Sequence, residues 1–87
     1  MLKKSIATPR HNAVRRFLAA LRKAKGWNQR QLSRKLGRVQ TVVARIETGE
    51  RRVDLPEFFE ICRTLGVDPE KMAAQLFREF KRLEAKP

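Results

Sequence analysis

The stretch NQRQLSRKLGRVQTVVARIETG, residues 28–49, predicts two short helices joined by a tight turn. Asn28 is a favourable helix N-cap, and Gln31, three residues later, completes the pattern of a capping box. Gly37 suits the left-handed position that commonly follows the last helical residue. We therefore expect the first helix to end just before this glycine and the second to cover residues 39–48.

The predicted second helix has two different sides when its residues are placed 100° apart. Val39, Val43 and Ile46 form an apolar side, which we expect to pack on the rest of the domain. The other side combines two side chains suited to base edges with two small ones that permit close approach to a DNA groove. These four candidate base-contacting residues are Gln40, Thr41, Ala44 and Arg45. A polar helix face that is merely solvated is the alternative.

The chain resembles the lambda-repressor-like (Cro/Xre) helix-turn-helix DNA-binding proteins. The similarity is carried by NQRQLSRKLG at residues 28–37, VQTVVARIETG at residues 39–49, and an L-x6-C-x2-L-G-V pattern at residues 55–67. It implies an all-α, five-helix domain in which the second helix of the pair enters the major groove of DNA. One position departs from the family pattern, since Val39 stands where a capping Ser or Thr is usual.

The resemblance also implies roles for residues around the helix pair. Arg22 in the first helix is expected to form a structural ion pair with Glu47. The start of the pair and the loop after it are expected to contact DNA phosphates, which position a protein without specifying sequence. With two neighbouring arginines, the candidate phosphate-binding residues are Asn28, Gln29, Arg30, Arg38, Arg51 and Arg52.

Charge is distributed unevenly along the 87 residues, whose net charge is +12. Residues 1–46 contain thirteen Lys or Arg and no acid, whereas residues 47–87 contain eight Lys or Arg and nine acids. Such a basic half favours a polyanionic partner with strongly salt-dependent binding, and double-stranded DNA is the expected one.

The remaining helices are predicted from their ends. Residues 1–8 form a short basic arm, and residues 9–87 a single domain. Thr8 followed by a proline predicts the start of a long amphipathic helix. Asp54 and Glu57 predict a second capping box. The helix that follows it, to Leu65, is expected to bury one apolar face, which consists of Leu55, Phe58, Phe59, Cys62 and Leu65. Asp68 followed by another proline predicts a final helix over residues 68–85.

The final helix is longer than the core of so small a domain requires. Its extension is a candidate dimer surface made of Leu76, Phe77, Phe80 and Leu83. A helix folded back on its own domain is one alternative. Another is an antitoxin in which the same helix covers a toxin protein.

Catalysis and cofactors receive no support from the sequence. One His and one Cys cannot supply the usual zinc clusters, so no metal is expected, and His11 is expected at the surface. The single Cys62 is expected to be a small buried apolar residue in a reducing cytoplasm. No apolar run is long enough to span a membrane. We therefore expect a cytoplasmic, nucleoid-associated, dimeric repressor that is not an enzyme and needs no cofactor.

Overall fold

The computed structural model describes residues 8–85, which form five α-helices and contain no strand. The helices are α1 Pro9–Lys25, α2 Gln29–Lys35, α3 Val42–Thr48, α4 Leu55–Leu65 and α5 Pro69–Glu84. The predicted all-α fold is therefore confirmed. The first seven residues of the predicted basic arm lie outside the described part. Among the five helices, none is long and apolar enough to cross a membrane.

Four of the helices begin at the polar caps that the sequence predicts. The side chains of Thr8, Asn28, Asp54 and Asp68 each accept a hydrogen bond from a backbone N–H in the first turn. The capping box at α2 is complete, since Asn28 Oδ1 accepts from the Gln31 amide at 2.8 Å and Gln31 Oε1 accepts from the Asn28 amide at 2.7 Å. At α4 only half of the predicted box forms, because the Glu57 carboxylate binds two arginines instead.

The start of α3 differs from the prediction, and its apolar face differs with it. The helix begins at Val42, and Val39 is 70% exposed in the turn before it. The core face consists of Val42, Val43 and Ile46, so the prediction that Val39 packs inward is wrong. Thr41 takes the N-cap position without a capping hydrogen bond from its side chain.

A residue of α2 replaces the missing cap. Ser33 is fully buried, and its Oγ accepts a hydrogen bond from the Val43 amide at 3.1 Å. One of the first amides of α3, which no carbonyl within the helix can satisfy, is thus satisfied by the preceding helix. The hydroxyl therefore joins the two helices of the pair, beyond the close packing expected of a small residue.

The core lies between α1, the helix pair, α4 and the start of α5. Its buried side chains are Leu18, Leu32, Val42, Val43, Ile46, Phe58, Ile61, Cys62, Leu65 and Leu76. Two apolar residues of α4 that were expected inside, Leu55 and Phe59, are exposed, and Ile61 is buried instead. Leu76 belongs to this core, so the prediction that it forms part of a dimer surface is wrong.

Candidate nucleic-acid interface

The N-terminal ends of α2 and α3 border one shallow depression of about 300 Å³ on the surface. Its lining residues are Asn28, Gln29, Arg30, Gln40, Thr41 and Ala44. The structure thus brings together three candidate phosphate-binding residues and three candidate base-contacting residues. The first group lies at the start of α2, and the second lies in the turn before α3 and in its first turn, so groove and phosphate contacts could be made side by side.

The four candidate base-contacting residues occupy a turn and a helix rather than one helix face. Gln40 and Thr41 are exposed in the turn that precedes α3. Ala44 is half-buried and Arg45 is exposed on α3 itself. Because the helix begins only at Val42, the glutamine and threonine precede its first turn rather than lie within it.

A buried ion pair holds the C-terminal end of α3 against α1. Arg22 Nε and Nη2 donate to the two carboxylate oxygens of Glu47 at 2.6 and 3.0 Å, and Nη1 donates to the Trp27 carbonyl at 2.8 Å. The two side chains are only 10% and 11% exposed. Gln29 donates to the same carboxylate at 2.7 Å. Every oxygen of Glu47 therefore has a partner, and α1, α2 and α3 are joined at one point.

The amphipathic pattern of α1 predicts Arg15 on its outer face, but this second arginine also contacts the end of α3. Arg15 Nη1 donates to the Glu47 carbonyl at 2.8 Å, and its Nε donates to Asn12 at 2.9 Å. Carbonyls at the end of a helix lack partners within the helix, and a cation is favourable there. The spacing offers a signal for this contact, since Arg15 lies seven residues before Arg22 and so on the same helix face.

Five of the six candidate phosphate-binding residues are exposed, and the sixth, Gln29, is half-buried. Asn28 takes part in the α2 cap and Gln29 in the contact with Glu47. Arg38 and Arg51, which flank α3, both bind Glu57. Arg38 Nη1 and Arg51 Nη2 lie 2.8 and 2.7 Å from the same oxygen, Oε2.

Comparison with known proteins agrees with this geometry. The helix-turn-helix family model matches residues 18–72, which is more than half of the chain. A solved structure described as an XRE-family like protein from Pseudomonas syringae pv. tomato str. DC3000 is similar with a TM-score of 0.78 and 37% sequence identity. The match covers 87% of this chain and 93% of that one. The chain belongs to the Xre helix-turn-helix family. No curated protein matches it significantly.

Membership of the Xre family places the chain among DNA-binding transcription regulators. In this Xre domain the helix pair corresponds to α2 and α3, which is the part of the surface that carries the depression described above. The charge distribution agrees, since the acid-free half of the sequence contains α1, α2 and most of α3.

The other predicted surface of the Xre domain lies on α5. Phe77 is 56% exposed, and its ring centroid lies 5.9 Å from that of the half-buried Phe80. Leu83 is half-buried. With Leu76 in the core, Leu55 of α4 borders the same depression as Phe77, and Phe59 is a further exposed apolar residue of α4.

Burial shifts the pKa of His11 and of Cys62. His11 is buried rather than at the surface, and desolvation, with Arg52 and Arg15 nearby, lowers its pKa. Cys62 is buried as predicted, and desolvation with the charge of Asp68 raises the pKa of its thiol to about 11. Within residues 8–85, no three His, Cys, Asp or Glu side chains are grouped as metal ligands would be.

Proposed function

We propose that this chain is a dimeric transcriptional repressor that binds a pseudo-palindromic operator through the major groove. The observation that carries the proposal is the depression in which the start of α2 meets the turn before α3. There, base-contacting and phosphate-binding side chains lie next to one another on a strongly basic half of the chain. Repression would follow from occlusion, because a bound dimer covers the DNA that a polymerase needs.

Sequence would be read by the turn and the exposed face of α3. Gln40 and Arg45 have the amide and guanidinium groups that pair with adenine and guanine, and Thr41 and Ala44 are small enough for close approach. Arg30 and Arg52 are exposed candidates for phosphate contacts. Asn28 and Gln29 lie beside Arg30 at the start of α2, where a helix N-terminus favours an anion. Arg38 and Arg51 complete the set at either end of α3.

The dimer contact would use the apolar residues on α4 and α5. Three of the predicted residues remain in this surface, namely Phe77, Phe80 and Leu83. We add Leu55 and Phe59, which are exposed on the neighbouring helix. A symmetric dimer places two copies of α3 in successive major grooves about 34 Å apart. A dimer with two-fold symmetry therefore predicts an operator with two symmetric half-sites.

Selection of bound sites from random duplex DNA tests this function, with the oligomeric state measured by sedimentation equilibrium. We expect a motif with two half-sites about 10 base pairs apart and a dimeric protein. A chain that selects no motif would contradict sequence-specific binding. A monomer that changes its mass only in the presence of another protein would instead support the antitoxin alternative.

Arg45→Ala tests the assignment of base contacts. We expect a loss of about 1–3 kcal/mol on the selected site and relaxed preference at one base pair, with a much smaller loss on random DNA. Arg16→Ala is the matched control, because it removes the same charge from a depression between α1 and α5. Equal losses of the Arg45 variant on both DNAs would contradict the assignment.

A further inference from the structure

The side chain of Glu57 lies where the segments before and after α3 meet α4. It is only 7% exposed, and one of its oxygens, Oε2, accepts from Arg38 Nη1 at 2.8 Å and from Arg51 Nη2 at 2.7 Å. Arg38 precedes α3 in the turn after α2, and Arg51 follows α3 in the loop to α4. The Glu57 carboxylate therefore joins the segments on both sides of α3 to α4.

This contact differs from an ordinary surface ion pair, because its carboxylate is buried. A carboxylate removed from water is costly unless charged donors satisfy it, and Glu57 has two guanidinium groups for that purpose. Arg38 also donates from Nη2 to Glu60 Oε1 at 3.0 Å, which fixes the plane of its guanidinium group from a second side. Each arginine remains partly exposed, at 36% for the Arg38 side chain and 42% for that of Arg51. N–H groups on their exposed sides can thus face a DNA backbone while Glu57 orients them.

We propose that Glu57 is a positioning residue for DNA binding. It holds Arg38 and Arg51 in orientations that let both contact phosphates, and it fixes the turn that presents Gln40 and Thr41. This inference rests on the proposed function, because it concerns the same DNA-binding surface. Glu57 itself faces the interior and does not contact DNA.

A competing role for the carboxylate makes the opposite prediction. If Glu57 only neutralised the two arginines, its removal would free two cations for phosphate, and binding to any DNA would tighten with a steeper salt dependence. If Glu57 positions them, its removal weakens operator binding even though the net charge of the protein rises by one. The sign of the change therefore separates the two roles.

The experiment compares Glu57→Gln, Glu57→Asp and the control Glu60→Gln in the full chain. Glutamine keeps the size of the side chain and removes the charge, whereas aspartate keeps the charge and shortens the reach. Glu60→Gln removes the same charge from an exposed residue that contacts Arg38 alone. Affinities for the selected operator and for random DNA are measured by fluorescence anisotropy across a salt series. The temperature is chosen so that circular dichroism shows each variant fully folded.

We expect both Glu57 variants to lose roughly tenfold in operator affinity, as coupled charged networks do, with a smaller loss on random DNA. The Glu60 variant should stay within about twofold of the wild type. Tighter binding to both DNAs, or unchanged binding, would overturn the proposal. Equal losses on the two DNAs would contradict the positioning of Gln40 and Thr41, because misplaced phosphate contacts alone weaken binding to every sequence alike.

If neither Glu57 variant folds, Arg38→Lys provides the same test from the partner side. Lysine keeps the positive charge for phosphate, but it lacks the planar group that binds Glu57 and Glu60 together. Positioning then predicts a loss in operator affinity without a change in net charge, whereas unchanged affinity contradicts it. A wild-type chain that selects no DNA motif would refute the proposed function itself, whatever the Glu57 variants do.

Discussion

At the residue scale, Ser33 shows how one buried hydroxyl sets the relation between two helices. Its Oγ accepts from the Val43 amide and is fully enclosed. Ser33→Ala should lower the free energy of unfolding by about 1–3 kcal/mol, because the buried amide loses its partner. Urea denaturation measures the change. Thr48→Ala is the control, since it removes an exposed hydroxyl bonded to the Arg45 carbonyl and should cost under about 0.5 kcal/mol. A similar cost for both variants would contradict this role of Ser33.

Cys62 provides a second prediction at this scale. Its thiol is buried, and its pKa is raised to about 11, so it remains protonated well above neutral pH. Because the thiolate is the reactive species, we expect almost no alkylation by iodoacetamide at pH 8 in the folded protein. The same protein in concentrated urea should react at the rate of an exposed thiol, and mass spectrometry follows both reactions. Rapid alkylation under native conditions would show that the thiol is accessible.

The role of a single residue could be predicted when its hydrogen-bond partner lies close to it in the sequence. Asn28 and Gln31 satisfy each other's amides within one turn, so their roles are visible in the sequence. His11 was placed at the surface because its burial depends on how α1 packs, which no local pattern reveals. The Glu57 side chain was predicted to complete a capping box because its arginine partners cannot be recognised locally. They lie 19 and 6 residues away in the sequence.

At the scale of the element, α3 is held by contacts from its neighbours rather than by its own sequence. Seven residues are too few for a stable isolated helix. Its first turn relies on Ser33, and its last turn relies on Arg15 and Arg22. This explains why its beginning was predicted three residues too early. The sequence shows an apolar Val39 at suitable spacing, but the amide that decides the boundary is satisfied from another helix.

The ion pair at the end of α3 can be tested by Glu47→Gln. The change leaves the Arg22 guanidinium buried without a counter-charge, so we expect unfolding to become easier by about 3–5 kcal/mol. Thermal and urea denaturation measure the loss, with Glu50→Gln as the control at an exposed position nearby. Replacing both members of the pair by apolar residues, Arg22→Met with Glu47→Leu, should recover part of that loss. A Glu47 variant as stable as the wild type would show that the pair contributes little.

The spacing of apolar residues in α4 was not enough to predict which of them are buried. Apolar residues occur on two sides of this helix, so spacing alone does not decide which side faces the core. The structure buries Phe58, Ile61 and Cys62 and exposes Leu55 and Phe59. The choice depends on where α5 packs, and the exposed Leu55 borders the same depression as Phe77.

At the scale of the whole molecule, the basic half and the exposed apolar residues belong to different elements. The acid-free half contains α2 and most of α3, whereas Leu55, Phe59 and Phe77 are on α4 and α5. The family, the all-α fold and the types of residue in the candidate interface could thus be predicted from the sequence. The tie between Arg38, Arg51 and Glu57 could not, because it depends on three segments meeting in space.

Phe77→Lys tests the dimer surface. Phe77 is 56% exposed in the single chain, so its replacement should leave the fold intact while placing a charge in an apolar contact. We expect the variant to sediment as a monomer and to lose at least tenfold in affinity for a two-half-site operator, as cooperative binding is removed. Gln75→Lys adds the same charge to another exposed position of α5 and should remain dimeric. A dimeric Phe77 variant would place the contact elsewhere.

The contacts that hold α3 in place leave its outward-facing residues open to substitution. The hydrogen bonds that join α3 to α1 and α2 are made at its two ends. Ser33 binds its first turn, and Arg15 and Arg22 bind Glu47 in its last turn. The outward-facing positions therefore carry little of the architecture. A library that randomises Gln40, Thr41 and Arg45 should yield well-folded proteins with new operator preferences, so the scaffold is suited to reprogramming.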